Sequence, residues 1–207
     1  MKKLLSLLLA LMLFALPLCA LAQEEEPAVF VHEDESYSFC YPADWTPIAR
    51  QTIAEVAEAY RAENNDEVTA MLDTFLPQLE ASNMVMIMSP TWQDNINIIC
   101  TDVGMSLAPE ELMALAPTLQ SALTEGTTGA AFLTEPTLMQ TTEEAPVFLA
   151  LMYECELAGT PLLGIQAVTS QDTLLYYVTM TVASTDDASC QAALEALEMV
   201  MGTFKFF

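Results

Sequence analysis

Three apolar segments late in the chain, Val147 to Leu157, Leu162 to Ser170 and Thr173 to Ala183, are joined only by the short turns Ala158-Gly159-Thr160 and Ser170-Gln171-Asp172. A parallel pair of strands needs a crossover of about a dozen residues or more, so strands this closely spaced fold back on themselves as an antiparallel meander. The rest of the chain has to be arranged around that sheet. Val29 to Val31 and Tyr37 to Tyr41 flank the acidic turn His32 to Ser36 and predict an opening hairpin ended by Pro42. Met84 to Met88 and Ile96 to Val103 lack a polar face, which suits central strands covered on both sides. Ala131 to Glu135 reads as a further strand and Thr203 to Phe207 as a closing edge strand.

Helical periodicity appears in four places. Thr46, with Pro47 at the first helical position, predicts a helix whose stripe is Ala49, Ile53, Val56, Ala57 and Tyr60. A second stripe runs through Val68, Met71, Leu72, Phe75, Leu76 and Leu79. A third helix opens at Pro109-Glu110-Glu111, acids that suit a helix N-terminus, and runs to about Glu125, with Pro117 expected to bend it. The last starts at Ser184, with Asp187 completing a capping box, and buries Cys190, Leu194, Leu197 and Met201. Length and pattern predict one domain over residues 28–207.

The first 22 residues are an address. Met1-Lys2-Lys3, an apolar run from Leu4 to Leu18 and Ala20-Leu21-Ala22 have the order of a secretory signal peptide, followed by a disordered acidic leader over residues 23–27. The alternative is lipidation at Cys19, which would anchor the protein to the cell surface, although Leu18 is bulkier than a lipoprotein signal wants before its cysteine. Cleavage removes Lys2 and Lys3 and leaves Arg50, Arg61 and Lys205 against 29 acidic residues in a chain of formal charge −24. Nucleic acid and anionic membrane surfaces both select for Lys and Arg, so neither is expected as a partner. The carboxylates are spread along the chain, which favours solubility over a dedicated cation site, and no Asp-x-Asp-x-Asp-Gly calcium loop occurs. Cys40, Cys100, Cys155 and Cys190 remain. Their spacing fits no zinc site, and it leaves two disulfides or four small core residues equally open.

Candidate chemistry is sparse. Gly104-Met105-Ser106 follows a strand and precedes a helix, but Pro109 starts that helix too late for a nucleophile elbow, and the single histidine, His32, lies upstream of Ser106. His32, beside Glu33, Asp34 and Glu35, reads as a mildly pH-sensitive surface turn, with a metal-ligand role as the weaker reading. Met84, Met86 and Met88 share one strand face; soft thioethers suit Cu(I), although methionine is also a common core filler. Tyr37, Phe39 and Tyr41 share a face with Trp45 close behind, either as the floor of a ligand groove or as that strand's packing face. Paired carboxylates are too abundant to single out an acid/base couple, so a carboxylate-dependent hydrolase stays an alternative.

The segment Tyr37-Ser-Phe-Cys-Tyr41-Pro42-Ala-Asp-Trp45, the late Tyr176-Tyr177-Val-Thr-Met-Thr181 and the closing Met201-Gly202-Thr203-Phe204 resemble the PsbP-like (Mog-type) sandwich family, which opens with an aromatic-x-aromatic-x-Tyr-Pro-x-x-Trp strand and ends with a helix before Ser-Phe. Thr203 stands where that family usually has Ser, and the insert from Pro47 to Ser82 is longer than usual. The resemblance implies an α+β fold, an antiparallel β-sheet flanked by helices on both faces (an α/β/α sandwich), as in exported bacterial members of the family. It implies little about function, because the architecture serves photosystem accessory proteins, a Ran-binding protein and exported bacterial proteins alike. The expectation is an exported non-catalytic accessory or binding domain whose partner is an extracellular protein or small ligand, with no cofactor. A calcium- or copper-binding role is the second alternative beside the hydrolase.

Overall fold

The computed structural model describes residues 26–34, 36–62, 70, 72–73, 84–157, 159–183 and 187–207. The expected signal peptide and Cys19 lie outside these residues, as do Glu35, Ser184 and most of the second predicted helical stripe. The strands are β1 (Ala28–Val31), β2 (Tyr37–Tyr41), β3 (Thr46–Ile48), β4 (Val85–Met88), β5 (Asn95–Asp102), β6 (Thr128–Phe132), β7 (Thr137–Met139), β8 (Phe148–Leu157), β9 (Thr160–Gln171), β10 (Leu174–Val182) and β11 (Lys205–Phe206). The helices are α1 (Ile53–Ala62), α2 (Pro109–Gly126) and α3 (Asp187–Thr203). None of the described helices is long and apolar enough to cross a membrane.

The meander forms as expected. β8, β9 and β10 pair antiparallel, and β10 continues the sheet onto β5, β4 and β3, giving the order β3-β4-β5-β10-β9-β8-β6 with β7 also on β8. The turns work because Gly159 (φ +86°) and Asp172 (φ +53°) take the left-handed conformation, which Gly adopts without penalty and Asp tolerates better than most residues. The opening hairpin β1–β2 stands apart in a second sheet, completed by β11 on its far side.

The main sheet has two covered faces, as an α/β/α sandwich requires. On one, Ile96 and Ile98 of β5, Phe148 and Met152 of β8, Ile165 and Ala167 of β9, and Tyr176, Val178 and Met180 of β10 pack against α3 and the small sheet. On the other, Leu149, Val168 and Leu175 pack under Leu112 and Ala116 of α2. Met86 and Met88 of β4 pack there too, under Ile53 and Ala57 of α1 together with Leu72, the one buried member of the second stripe among the described residues. α3 buries Leu197 and Met201 from its predicted stripe and adds Ala193, Ala196 and Val200, small residues that let it approach the sheet closely.

Four expectations need correction. Thr46 and Pro47 do not start a helix: they form β3, paired Thr46 with Met88 and Ile48 with Met86, and an edge strand is where a residue without an N–H is tolerated. The helix begins only at Ile53. Its approach is shaped by Thr52, whose Oγ1 accepts from the Ala49 N–H at 2.9 Å. The strand expected at Ala131 to Glu135 instead runs over Thr128–Phe132 as β6, and a further short strand, β7, follows at Thr137–Met139; the two meet β8 at different places along its length. β5 is buried on its Ile96 and Ile98 face only, its other face being half-exposed. His32 is no surface turn: it is 4% exposed, held between the hairpin and the core.

Candidate functional site

The aromatic residues of β2 are structural. Tyr37, Phe39, Tyr41 and Trp45 are all buried, and Phe39 lies 5.2 Å from Phe30 and 6.0 Å from Phe204 in near-parallel stacks. Tyr37 stacks on Phe204 at 5.3 Å and meets Tyr176 edge-on at 5.6 Å. Alternation along β2 aims all three of its aromatic rings inward, so they glue the small sheet and the end of α3 to the main sheet, and burial drives the Tyr37 and Tyr176 phenols well above the usual tyrosine range. None of the four lines the cleft described below.

At the edge of that cluster His32 stacks on Tyr37 at 4.8 Å, and its Nδ1 lies 2.6 Å from Asp34 Oδ1. Asp34 also accepts from the Ser36 N–H at 2.9 Å. Hydrogen bonding from Ser36, and less from His32, holds the Asp34 carboxyl at about 2. Cys100 and Tyr176 are hydrogen-bonded neighbours of this corner, and burial raises the Cys100 thiol, which makes it a poor nucleophile. Cys40, Cys100, Cys155 and Cys190 form no disulfide among the described residues. Met86 and Met88 are enclosed by apolar side chains beneath α1, with Met84 half-buried beside them, and His32 belongs to a different cluster, so the structure does not bring these four together. Among the described residues no three His, Cys, Asp or Glu side chains are grouped to hold a metal ion. Ser106 sits in the loop ahead of α2.

An open concavity lies elsewhere among the described residues. A cleft of about 630 Å³ runs between the start of α2, the approach to β8, the end of β9 and β11, a size ordinary for a small-ligand site. Leu107, Pro109 and Leu112 form one wall and Pro146 and Val147 another, while Phe204 and Phe206 close the third. Its polar groups are Glu144, Thr169, Ser170, Gln171 and Lys205. Local bonding holds these walls in place. The Ala108 N–H donates to Glu111 Oε2 at 2.8 Å and the Leu107 N–H donates to Ser170 Oγ at 3.4 Å, fixing the first turn of α2 against β9. The loop carrying Glu144 is pinned by Gln140 Nε2 donating to the Ala145 carbonyl at 2.7 Å and by Thr142 Oγ1 donating to the Gly202 carbonyl of α3 at 3.2 Å.

The electrostatics of the cleft differ from those of the remaining surface. Arg50 pairs with Glu33 at 3.7 Å and Arg61 with Asp73 at 2.9 Å, whereas Lys205, at the cleft, has no ion-pair partner among the described residues. One carboxylate, Glu144, lines the cleft, and no histidine or cysteine does. A pair of facing carboxylates, which acid/base hydrolysis needs, is not part of its lining. Sequence reasoning missed the site altogether: it comes from four separated segments, and the only legible signal was that Lys205 is one of the few basic residues.

No protein-family profile matches the sequence, and no curated protein matches it. Solved structures do. The cyanobacterial PsbP protein CyanoP from Synechocystis sp. PCC 6803 is similar with a TM-score of 0.53 at 12% identity, over 92% of this chain and 99% of that one. LpqN of Mycobacterium tuberculosis, described as involved in cell envelope biogenesis, is similar with a TM-score of 0.50 at 11% identity, over 87% and 90% of the two chains. The chain is thus an α+β protein with antiparallel sheets and flanking helices. Its fold is the PsbP-like fold.

Proposed function

We infer that this is an exported, non-catalytic binding domain that holds a small amphipathic ligand in the cleft between α2, β9 and β11. The observation that carries this reading is the cleft itself: a lining of apolar and polar groups in about equal share, and no nucleophile with a base beside it. The export signal in residues 1–22 supports an extracytoplasmic setting, released after cleavage or anchored through Cys19. The likeness to CyanoP and LpqN is compatible with an accessory role and is a likeness of fold.

A thermal-shift screen of the purified protein tests it, with short peptides, small amphiphiles, Ca²⁺ and Cu⁺ as the arms. A ligand at 100 times its Kd stabilises the folded state by about 2.7 kcal/mol, so a cleft ligand raises Tm measurably. Val147→Trp, which fills the cleft, should abolish that rise while leaving the unliganded Tm close to wild type. A rise that survives the filled cleft, or a rise with the metal ions alone, would overturn the assignment.

A further inference from the structure

Resting on that reading, we propose that the cleft takes a short, apolar peptide with both termini free, bound in extended form along β11. The first support is main-chain geometry. β11 pairs with β2 through Lys205 opposite Ser38 and Phe206 opposite Tyr37, and the Phe207 N–H donates to the Ser36 carbonyl at 3.2 Å. In an antiparallel ladder the hydrogen-bonded pairs alternate, so Ser36–Phe207 and Ser38–Lys205 are bonded pairs while the N–H and C=O of Phe206 point away from β2. The N–H of Cys40, one step further along β2, donates instead to Thr203 Oγ1 at 2.7 Å, which ends the ladder. Phe206 lines the cleft, and its main-chain donor and acceptor have no partner among the described residues. An unpaired donor and acceptor on one residue of an edge strand match one residue of an added extended peptide.

The second support is the polar part of the lining. Thr169, Ser170 and Gln171 place side-chain polar groups in the same cleft. An apolar ligand body alone would offer nothing to these groups or to the Phe206 main chain, whereas a peptide backbone carries donors and acceptors for both.

Charge sets the termini. The cleft carries one unpaired ammonium, Lys205, and one carboxylate without a charged partner, Glu144. In a chain of formal charge −24 a net anion is repelled by the molecule as a whole, whereas a zwitterion places its carboxylate at Lys205 and its ammonium at Glu144 at no cost in net charge. The apolar walls from Leu107, Leu112, Val147 and Phe204 accept hydrophobic side chains.

Calorimetric titration of the purified protein with Leu-Phe, N-acetyl-Leu-Phe, Leu-Phe amide and the doubly blocked form tests the proposal. The free dipeptide should bind tightest, with each blocked end weakening it about tenfold, the size of one lost charge-assisted contact. Lys205→Gln should erase the difference between the free peptide and its amide, and Glu144→Gln the difference between the free and acetylated forms; both side chains are exposed and neither supports the core. Equal binding of all four forms would overturn the proposal while keeping the cleft as a ligand site. No binding by any form, with another amphiphile stabilising the protein in the thermal screen, would overturn the peptide class alone. Silence in both experiments would overturn the cleft reading with it.

Discussion

The two faces of the main sheet are covered in different ways. The face toward α3 is continuous: one apolar cluster runs from Phe30 in the hairpin, through Phe39 and Phe204, to Val85 and Ile87 at the far side of the sheet. The face toward α1 and α2 is divided. α1 covers Met86 and Met88, α2 covers Leu149, Val168 and Leu175, and between them Asn97, Thr179 and Gln166 stand side by side on neighbouring strands, with Gln166 Nε2 donating to Thr179 Oγ1 at 3.5 Å. The closed face uses stacked aromatic rings, which bury large areas with few rotatable bonds, and it fixes the small sheet to the domain. The divided face uses two separate helices and mainly aliphatic side chains. The cleft opens where α2 begins, beside the end of β9 and β11. The difference teaches that the continuous side of the sandwich supplies the platform and the divided side leaves the opening.

The largest expected effect is on the closed face. Phe39→Ala removes a ring stacked between Phe30 and Phe204 and should cost about 3–5 kcal/mol, a large share of the stability of a domain this size, measured by denaturant unfolding. A loss under about 1 kcal/mol would break the comparison, because the aromatic cluster would then be no platform. On the divided face, Gly164 lies directly beneath the Tyr153 ring, and an added Cβ would stand 2.3 Å from its Cζ. Tyr153 is buried, so Gly164→Ala has to displace it and should cost about 1–3 kcal/mol by overpacking, visible as a lower Tm and a changed tyrosine fluorescence.

The smallest effect sits at the rim of the closed face and shows only in acid. The folded Asp34 carboxyl binds its proton near pH 2, an unfolded one near 3.8, so in that interval the unfolded chain takes up more protons. The stabilisation is fully present above pH 3.8 and is lost as the pH falls through about 2. Asp34→Asn should therefore flatten the fall in Tm over that interval, and the gain is modest because the side chain is 58% exposed and screened by water. An unchanged acid limb would remove the His32–Asp34 corner from the account of what holds the hairpin down.

Local signals were read correctly where local physics decides. The meander, the hairpin, α2 with its acidic first turn and the packing stripe of α3 follow from turn chemistry and periodicity within one segment. Pro47 was misread because Thr-Pro opens a helix and also suits an edge strand, and the choice depends on whether β4 lies beside it. His32 was misread because its acidic neighbours describe a turn, whereas the ring is buried by Tyr37, whose position depends on β11 and α3. The aromatic face of β2 was visible as a face; that it points into the core became decidable only once Phe204 and Tyr176 were in place.

By itself the sequence determined the antiparallel meander, the strong acidity, the export signal as an expectation and the alternation that assigns each strand residue to one face or the other. These are properties of neighbours along the chain. Only the tertiary structure decided which strands lie beside which, and therefore that Asn97, Thr179 and Gln166 form one row, that Thr169 is buried at the cleft, and that Glu144, Lys205 and Phe206 share that cleft. Register and long-range pairing are set by summed packing over the whole sheet, where a slip of one residue would turn every side chain to the opposite face, and no single segment carries that information.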